Sequence, residues 1–100
     1  MYARMTTFHV QPSTIDEVLR IVQDALPITK QQRGFKSGLA LADYSTGKVI
    51  GITWWETEAD LLTNETNGYY QEQVAKIRSF LVDQPVREAY VAGIAEWANP

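Results

Sequence analysis

The sequence has no cysteine, and this absence excludes several kinds of chemistry. A chain without cysteine forms no disulfide framework, has no thiolate nucleophile and cannot hold a metal through thiolates. It also has no cluster of histidine and carboxylate residues at metal-ligand spacing and no glycine-rich phosphate loop. We therefore expect no metal site and no bound cofactor.

The sequence also contains no pattern typical of a membrane span or of a nucleic-acid-binding surface. No apolar run approaches the roughly 18 residues of a membrane span, and residues 1–10 have no basic region followed by an apolar stretch. The nine Lys and Arg residues are spread along the chain and outnumbered by twelve Asp and Glu, for a formal charge of −3. This balance leaves no basic face for nucleic acid. We expect a soluble, cytoplasmic protein.

The composition that is present is that of an ordinary globular protein. Hydrophobic residues make up 45% of the chain and charged residues 21%, which excludes an intrinsically disordered chain. A chain of 100 residues has room for one core, since folding at this size hides about two-thirds of the extended surface. We expect a single domain over residues 1–100.

The first third of the chain predicts a strand and then a helix. Residues 2–10 alternate and are rich in Thr, Phe, Val and Met, as strands are. Thr14 and Glu17 have the spacing of a capping box at a helix start. The apolar stripe of that helix is Ile15, Val18, Leu19, Val22, Ala25 and Leu26. Pro27 lacks a backbone donor, so we expect a helix in two pieces that Gly34 ends.

The middle of the chain predicts a hairpin and a short helix. Two strand-like runs, residues 35–43 and 48–56, flank a short polar connection that contains a glycine. A short helix follows over residues 57–65, with acids in its first turn where the helix dipole favours them. Asn67-Gly68 then breaks the helix.

The last third predicts a longer helix and a final strand. The apolar stripe of the helix is Tyr70, Val74, Ile77 and Leu81, and the helix runs towards Pro85. Residues 86–97 read as a strand and residues 98–100 as a frayed tail. The order of elements matches the α+β class with a ferredoxin-like split βαβ arrangement, a four-stranded antiparallel sheet with helices on one face.

The second face of such a sheet needs another cover, because both crossovers are right-handed and lie on the same side. Trp54 and Trp55 are strand neighbours, so each face receives an indole. If several aromatic side chains on that face stayed exposed to water, the burial free energy lost would be comparable with the net stability of a small domain. We therefore expect a homodimer packed sheet to sheet. We assign Trp54 to the core and leave Trp55 open between a dimer contact and a cavity wall.

One row of the first strand mixes large rings with polar groups: Tyr2, Arg4, Thr6 and Phe8. This mixture suits the wall of a partly wet cavity better than a dry helix interface. We place Thr53 and Trp55 with this row. The alternative is a compact interface without a cavity.

Four segments carry a family resemblance that covers nearly the whole chain. They are the opening strand, the hairpin, Thr-Trp-Trp-Glu-Thr-Glu-Ala-Asp-Leu at residues 53–61 and Gly-Tyr-Tyr-Gln-Glu-Gln at residues 68–73. Together they resemble the antibiotic biosynthesis monooxygenase domain family. The resemblance implies a dimeric α/β barrel with a ligand cavity between each sheet and its helices or within the barrel. Characterised members of this family include oxygenases that oxidise polycyclic phenols or quinols without metal or flavin, and others that degrade haem. The resemblance implies that either activity is a candidate for this chain.

The haem-degrading branch of the family can be tested against this sequence. Its members place an Asn on the first strand, a Trp in the short helix and a His in the next helix. The nearest positions here hold Thr6, Asn64, and Val74 or Gln73. The only histidine, His9, lies near the end of a strand. We therefore do not expect haem degradation by that scheme.

Oxygenation without a cofactor requires an electron-rich substrate anion that meets dioxygen in a site from which water is excluded. Arg4 is the candidate for stabilising that anion, and Tyr69 or Tyr70 for hydrogen-bonding it. Trp55 could stack on a flat ring, and Asn64 could orient a carbonyl. The candidate ligand-binding residues are Arg4, Thr6, Phe8, Trp55, Asn64, Tyr69 and Tyr70, and no catalytic residue is assigned.

Several of these residues also have a purely structural interpretation. Arg4 could form an ion pair across the sheet or the dimer, and Tyr70 could pack in the buried helical stripe. Asn64 could bond local backbone groups at a helix end. His9 suits an exposed strand end. The acids in the first turns of helices read as capping groups and not as a catalytic pair.

The residue patterns and the resemblance leave three functions open. The first is a homodimeric monooxygenase-like enzyme that acts on a small aromatic or quinol-type molecule. The second is a non-catalytic dimeric barrel that binds a small apolar ligand. The third is a dimerisation module with a filled barrel. Fold analogy alone does not choose among them.

Overall fold

The computed structural model describes residues 1–93 and gives a four-stranded antiparallel sheet with helices on one face. The strands are β1 (Tyr2–His9), β2 (Phe35–Asp43), β3 (Lys48–Trp55) and β4 (Val86–Val91), and the helices are α1 (Ile15–Thr29), α2 (Glu58–Thr66) and α3 (Tyr69–Ile77). The strand order is β2-β3-β1-β4, so β1 and β3 are central. The predicted ferredoxin-like α+β fold is confirmed.

The hairpin of β2 and β3 and the short helix α2 agree with the sequence prediction. Lys48 pairs with Asp43 at the closed end of the hairpin, and β1 pairs with β3 along its whole length. The hydroxyl of Thr57 accepts a hydrogen bond from the backbone N–H of Asp60 at 3.1 Å, which caps α2. Gly68, at a φ of 89°, separates α2 from α3.

The start and end of α1 differ from the prediction. The capping box does not form, because Thr14 donates its hydroxyl to the carbonyl of Gln11 at 2.7 Å within a 3₁₀ turn, Pro12–Thr14. The helix is also a single piece that contains Pro27 and ends at Thr29. Pro27 leaves the carbonyl of Gln23 without its helical donor, but it lies in the last turn, so the helix loses one bond near its end and is not divided.

The outer elements are shorter than predicted. β1 ends at His9, and Val10 instead forms an isolated bridge with Leu81. α3 ends at Ile77 and continues as a 3₁₀ turn, Arg78–Phe80. Of the strand predicted over residues 86–97, the structure shows β4; residues 94–97 and the predicted tail lie outside the described residues.

The core lies between the sheet and the helices. Its buried members come from the end of β1, from α1, β3 and α3: Val10, Ile15, Val18, Val49 and Ile77. Trp55 has an exposed fraction of 0% on this side, whereas Trp54 is partly exposed and one strand position away. The assignment of Trp54 to the core was therefore wrong. Alternation separates the two indoles, but only the packing of the helices decides which face is inside.

The opposite face of the sheet is rich in apolar residues and carries no helix among residues 1–93. In register across the four strands it presents Leu39, Leu41, Ile50, Ile52, Trp54, Ala3, Met5, Val86 and Tyr90. Leu41, Val86 and Tyr90 are at least half exposed. We call this surface the open face. Within the same described range, no helix is long and apolar enough to cross a membrane.

Gly47 joins the hairpin to the end of β1. Its carbonyl accepts a hydrogen bond from the N–H of Val10 at 2.9 Å, and its own N–H donates to the carbonyl of Asp43 at 2.9 Å. It has a φ of 84°, and a Cβ at this position would overlap the carbonyl oxygen of Val10. Gly68 also has a positive φ, but its Cβ position faces open space.

These two glycines give a matched pair for a stability test. Gly68→Ala should lower the free energy of unfolding by about 1 kcal/mol, the cost of a left-handed alanine. Gly47→Ala should lower it by about 3 kcal/mol, because the same backbone cost is joined by a steric overlap. Urea unfolding of both variants at one protein concentration measures the difference. Equal losses would contradict the close approach of β1 to the hairpin.

Candidate functional site

A cavity of about 390 Å³ lies between the sheet and the helices α1 and α3. Val22 and Leu26 of α1 both line it and are exposed to solvent, as are Gly38 and Ala40 of the edge strand β2. The mouth of the cavity therefore lies between α1 and β2. A mainly apolar pocket of this size, with a few polar groups, is the usual form of a small-molecule site.

Short side chains in the floor of the sheet create this cavity. Ala40, Gly51 and Thr6 lie side by side on three neighbouring strands. A Cβ added at Gly51 would meet nothing within 4 Å. The helices rest on larger residues elsewhere, so the space above this row stays open. Gly51 was not among the predicted site residues, although a glycine inside a β-branched strand is a known signal of such a position.

Arg4 is the principal polar group of the cavity wall. Its side chain is 7% exposed, and its Nη1 lies 3.5 Å from Oε2 of Glu65. Its guanidinium also lies over two rings, 4.6 Å from the centroid of Tyr70 and 5.4 Å from that of Trp55. Burial lowers the pKa of Arg4, and the charge of Glu65 partly opposes this shift. Such stacked cation–π contacts help to hold a buried guanidinium.

Glu65 serves two arginines at once. The Nε of Arg87 lies 3.6 Å from the same Oε2 atom that faces Arg4, and the Arg87 guanidinium is 4.8 Å from the Tyr70 ring. Two guanidiniums and one carboxylate leave a net charge of +1. Within the described part of the chain, Nη1 of Arg4 is buried and makes no hydrogen bond. We call Arg4, Glu65, Tyr70 and Arg87 the arginine cluster.

Tyr69 connects the two helices at the cavity wall. Its hydroxyl and that of Thr29 share a hydrogen bond, and Thr29 donates to the carbonyl of Ala25 at 3.0 Å. Because Thr29 has a single hydroxyl proton, Tyr69 is the donor in the bond between them. The Tyr69 hydroxyl can therefore accept a hydrogen bond from a ligand, whereas its proton is not free to stabilise an anion.

Five of the seven predicted ligand-binding residues line the cavity: Arg4, Thr6, Phe8, Tyr69 and Tyr70. The other two lie behind its wall. Trp55 donates its indole N–H to the hydroxyl of Thr53 at 3.0 Å and packs edge-on against Phe35. Asn64 is 2% exposed and donates to Oε1 of Gln32 at 3.2 Å. Both residues thus support the wall and do not reach the cavity.

The remaining titratable candidate, His9, lies away from the cavity. Its Nδ1 is 3.5 Å from Oδ1 of Asp83, and both side chains are exposed. No group of three or more histidine and carboxylate side chains that could hold a metal occurs among residues 1–93. The described lining of the cavity therefore offers one cation, several hydroxyls, two glutamine amides and an apolar wall.

The dependence of Arg4 on Glu65 can be tested by stability. Glu65→Gln leaves the buried guanidinium without a counter-ion and should lower the free energy of unfolding by about 3 kcal/mol. Glu56→Gln is the matched control, since its Oε2 lies 2.6 Å from Nζ of Lys36 but the pair is exposed. That change should cost less than about 1 kcal/mol. Equal urea midpoints for the two variants would contradict the assignment of Glu65 as the counter-ion.

Comparisons of the sequence give no assignment: no family model matches it, and no curated protein matches it. Solved structures do match its fold. One is a putative antibiotic biosynthesis monooxygenase from Deinococcus radiodurans, with 17% identity, a TM-score of 0.78 and 100% of each chain covered. Another is a protein of unknown function from Nitrosomonas europaea, with 15% identity, a TM-score of 0.79, and 99% of this chain and 95% of that one covered.

A third match is SnoaB, a cofactor-independent oxygenase from Streptomyces nogalater. Its identity is 12%, its TM-score is 0.74, and 94% of each chain is covered. At these identities the likeness is one of fold. The resemblance noted in the sequence is thus matched by backbone structure, and this chain has the fold of the antibiotic biosynthesis monooxygenases.

Proposed function

We propose that this protein is a cofactor-independent monooxygenase-like enzyme that oxidises a small aromatic or quinol-type compound in the cavity beneath α1 and α3. The observation that carries the proposal is an open apolar cavity with a single guanidinium on its described wall. Apolar walls exclude water, and a fixed cation favours the ionised form of a substrate. The fold shared with SnoaB, a cofactor-independent oxygenase, supports the same reaction class.

The proposed reaction needs no reductant other than the substrate itself. A methylene carbon activated by phenolic rings loses a proton, and the resulting carbanion forms a C–O bond with dioxygen. The peroxide takes up a proton and then loses water, which leaves a carbonyl on the substrate. One oxygen atom ends in the product and the other in water, and the substrate supplies all four electrons.

Arg4 has the central role in this scheme. Its positive charge, held within a poorly solvated wall, stabilises the negative oxygen that forms when the substrate ionises. The proton passes to water at the mouth, where Val22 and Leu26 are exposed. Tyr69 accepts a hydrogen bond from a substrate hydroxyl and so helps to orient it.

A non-catalytic ligand-binding protein is the second candidate. Among the described residues that line the cavity there is no histidine and no carboxylate. A base within hydrogen-bond reach is the usual partner of a general-base step. This lining therefore supports binding as directly as it supports chemistry, and the two candidates differ only in whether dioxygen is consumed.

We also propose that two copies associate through the open face. Leu41, Val86 and Tyr90 on this face are half exposed or more, and all four strands contribute apolar residues to it, with Thr7 and Glu88 among them. An exposed apolar surface of this kind usually marks an association site. Packing two such faces together buries them without covering the mouth of either cavity, which lies on the opposite side of the sheet.

An oxygen electrode and a cavity-filling variant test the enzyme. With 1,8-dihydroxyanthrone in aerated buffer, the wild-type protein should raise oxygen uptake above the spontaneous rate. Gly51→Leu fills the space above the sheet and should reduce this gain at least about tenfold. Ala42→Leu, at an exposed position outside the cavity, is the matched control and should retain it. Binding seen by quenching of tryptophan fluorescence, without oxygen uptake, would favour the second candidate.

The oligomeric state tests the open face. Ile50→Lys places a charge within the proposed interface and should convert a dimer into a monomer, because an unpaired buried lysine is costly. Val82→Lys adds the same charge at an exposed apolar residue outside the sheet and should leave the dimer unchanged. Light scattering after gel filtration gives both masses. A wild-type monomer, or a dimeric Ile50→Lys variant, would contradict this interface.

A further inference from the structure

The charge of the cavity is not balanced by the residues around it. Arg4 is the one charged side chain among the described residues that line the cavity. Its carboxylate partner, Glu65, is shared with Arg87, and the two arginines lie 3.5 and 3.6 Å from the same oxygen atom. The three groups together carry one excess positive charge beside an apolar cavity.

Solvent does not balance this charge equally for the two arginines. The Arg87 side chain is 42% exposed, so water solvates it, whereas that of Arg4 is 7% exposed. A buried charge that lacks complete pairing is costly, and proteins place such groups where a ligand supplies the missing partner. Nη1 of Arg4 forms the ion pair with Glu65 at 3.5 Å but makes no hydrogen bond among the described residues, which is in keeping with an incomplete set of acceptors in this cluster.

The form of the cavity specifies the rest of the ligand. The row of Thr6, Ala40 and Gly51 leaves a broad space over the sheet, and the walls above it are aliphatic and aromatic. Short side chains on three neighbouring strands leave room for a flat ring system above this row. Arg4 belongs to the same strand as Thr6, two positions away, so an acidic group at the edge of such a ring comes next to the guanidinium.

We propose that the ligand of this cavity is an aromatic carboxylic acid, whose ionised carboxylate binds Arg4 while its rings lie over Gly51. This inference rests on the proposed function and names its substrate class, and it places at Arg4 a carboxylate that is charged before the reaction instead of a ring oxygen that ionises during it. A carboxylate is ionised throughout the neutral range and matches the planar donor fork of a guanidinium. A neutral phenol must lose a proton before it offers the same charge.

Two isosteric probes separate this inference from the proposed function. Calorimetric titration with 2-naphthoate and 2-naphthamide compares ligands that differ in charge and hardly in shape. The wild-type protein should bind the carboxylate at least about tenfold more tightly, the usual gain of a charge-assisted hydrogen bond. Equal binding of the two probes would overturn the inference and leave the aromatic cavity intact. Failure of both to bind would overturn the inference and the proposed function together.

Variants locate the effect in the arginine cluster. Arg4→Met keeps the length of the side chain and leaves Glu65 paired with Arg87, so no carboxylate is orphaned. It should remove the preference for naphthoate while naphthamide still binds. Arg87 does not itself line the cavity, although its guanidinium lies 4.8 Å from the ring of Tyr70, which does. Arg87→Met removes the excess charge, and it should reduce the preference without abolishing it. Lys36→Met removes an equal charge from an exposed ion pair and is the control.

The variant outcomes decide the assignment. A naphthoate preference that persists in Arg4→Met would overturn the inference, and so would a loss of equal size in Lys36→Met. If Arg4→Met proves unstable in urea, Arg87→Met carries the test, since it leaves the buried Arg4 paired with Glu65. Tighter binding of 2-naphthol than of 2-naphthoate would overturn the carboxylate and assign a phenol in its place.

Discussion

The structure depends on how Arg4 is held on the central strand β1. The pairing of β1 with β3 and β4 places Arg4 opposite Thr53 and Ala89, on the side of the sheet that the helices cover. A slip of one residue would turn Arg4 to the open face and bring its apolar neighbours inside. The register of this strand therefore sets both the charge of the cavity and the apolar character of the open face.

The cavity and the buried arginine lower the stability of the fold. The empty space above Gly51 lacks packing contacts. The buried Arg4 shares its only described carboxylate, Glu65, with Arg87, so the cost of its desolvation is only partly offset. The well-packed end of the domain, where Val10, Ile15 and Val49 meet, has neither feature. The molecule thus has a dense end and an open end, and the open end contains five of the seven residues predicted to bind a ligand. The two ends adjoin, since Ile77 and Phe8 belong both to the core and to the cavity wall.

The sequence predicted those features that depend on local chemistry. Alternation located β2 and β3 to within a residue, and Thr57 marked the start of α2, because strand pleating and helix capping act over a few residues. Features that depend on distant groups were harder to predict. The capping box at Thr14 gave way to a 3₁₀ turn, and neither Arg87 nor Glu65 could be linked to Arg4 without the fold. Gly51 is visible in the sequence, but only the register of the sheet brings Thr6 and Ala40 beside it.

The choice between catalysis and binding depends on how a proton leaves the cavity. The described lining offers no histidine or carboxylate, so a substrate there must ionise with the help of charge alone. A guanidinium with a full counter-ion would do little, since its field would be cancelled close by. The sharing of Glu65 between two arginines leaves that field uncancelled at Arg4. If the protein is an enzyme, Arg87 therefore contributes to the acidity of a substrate that it never touches.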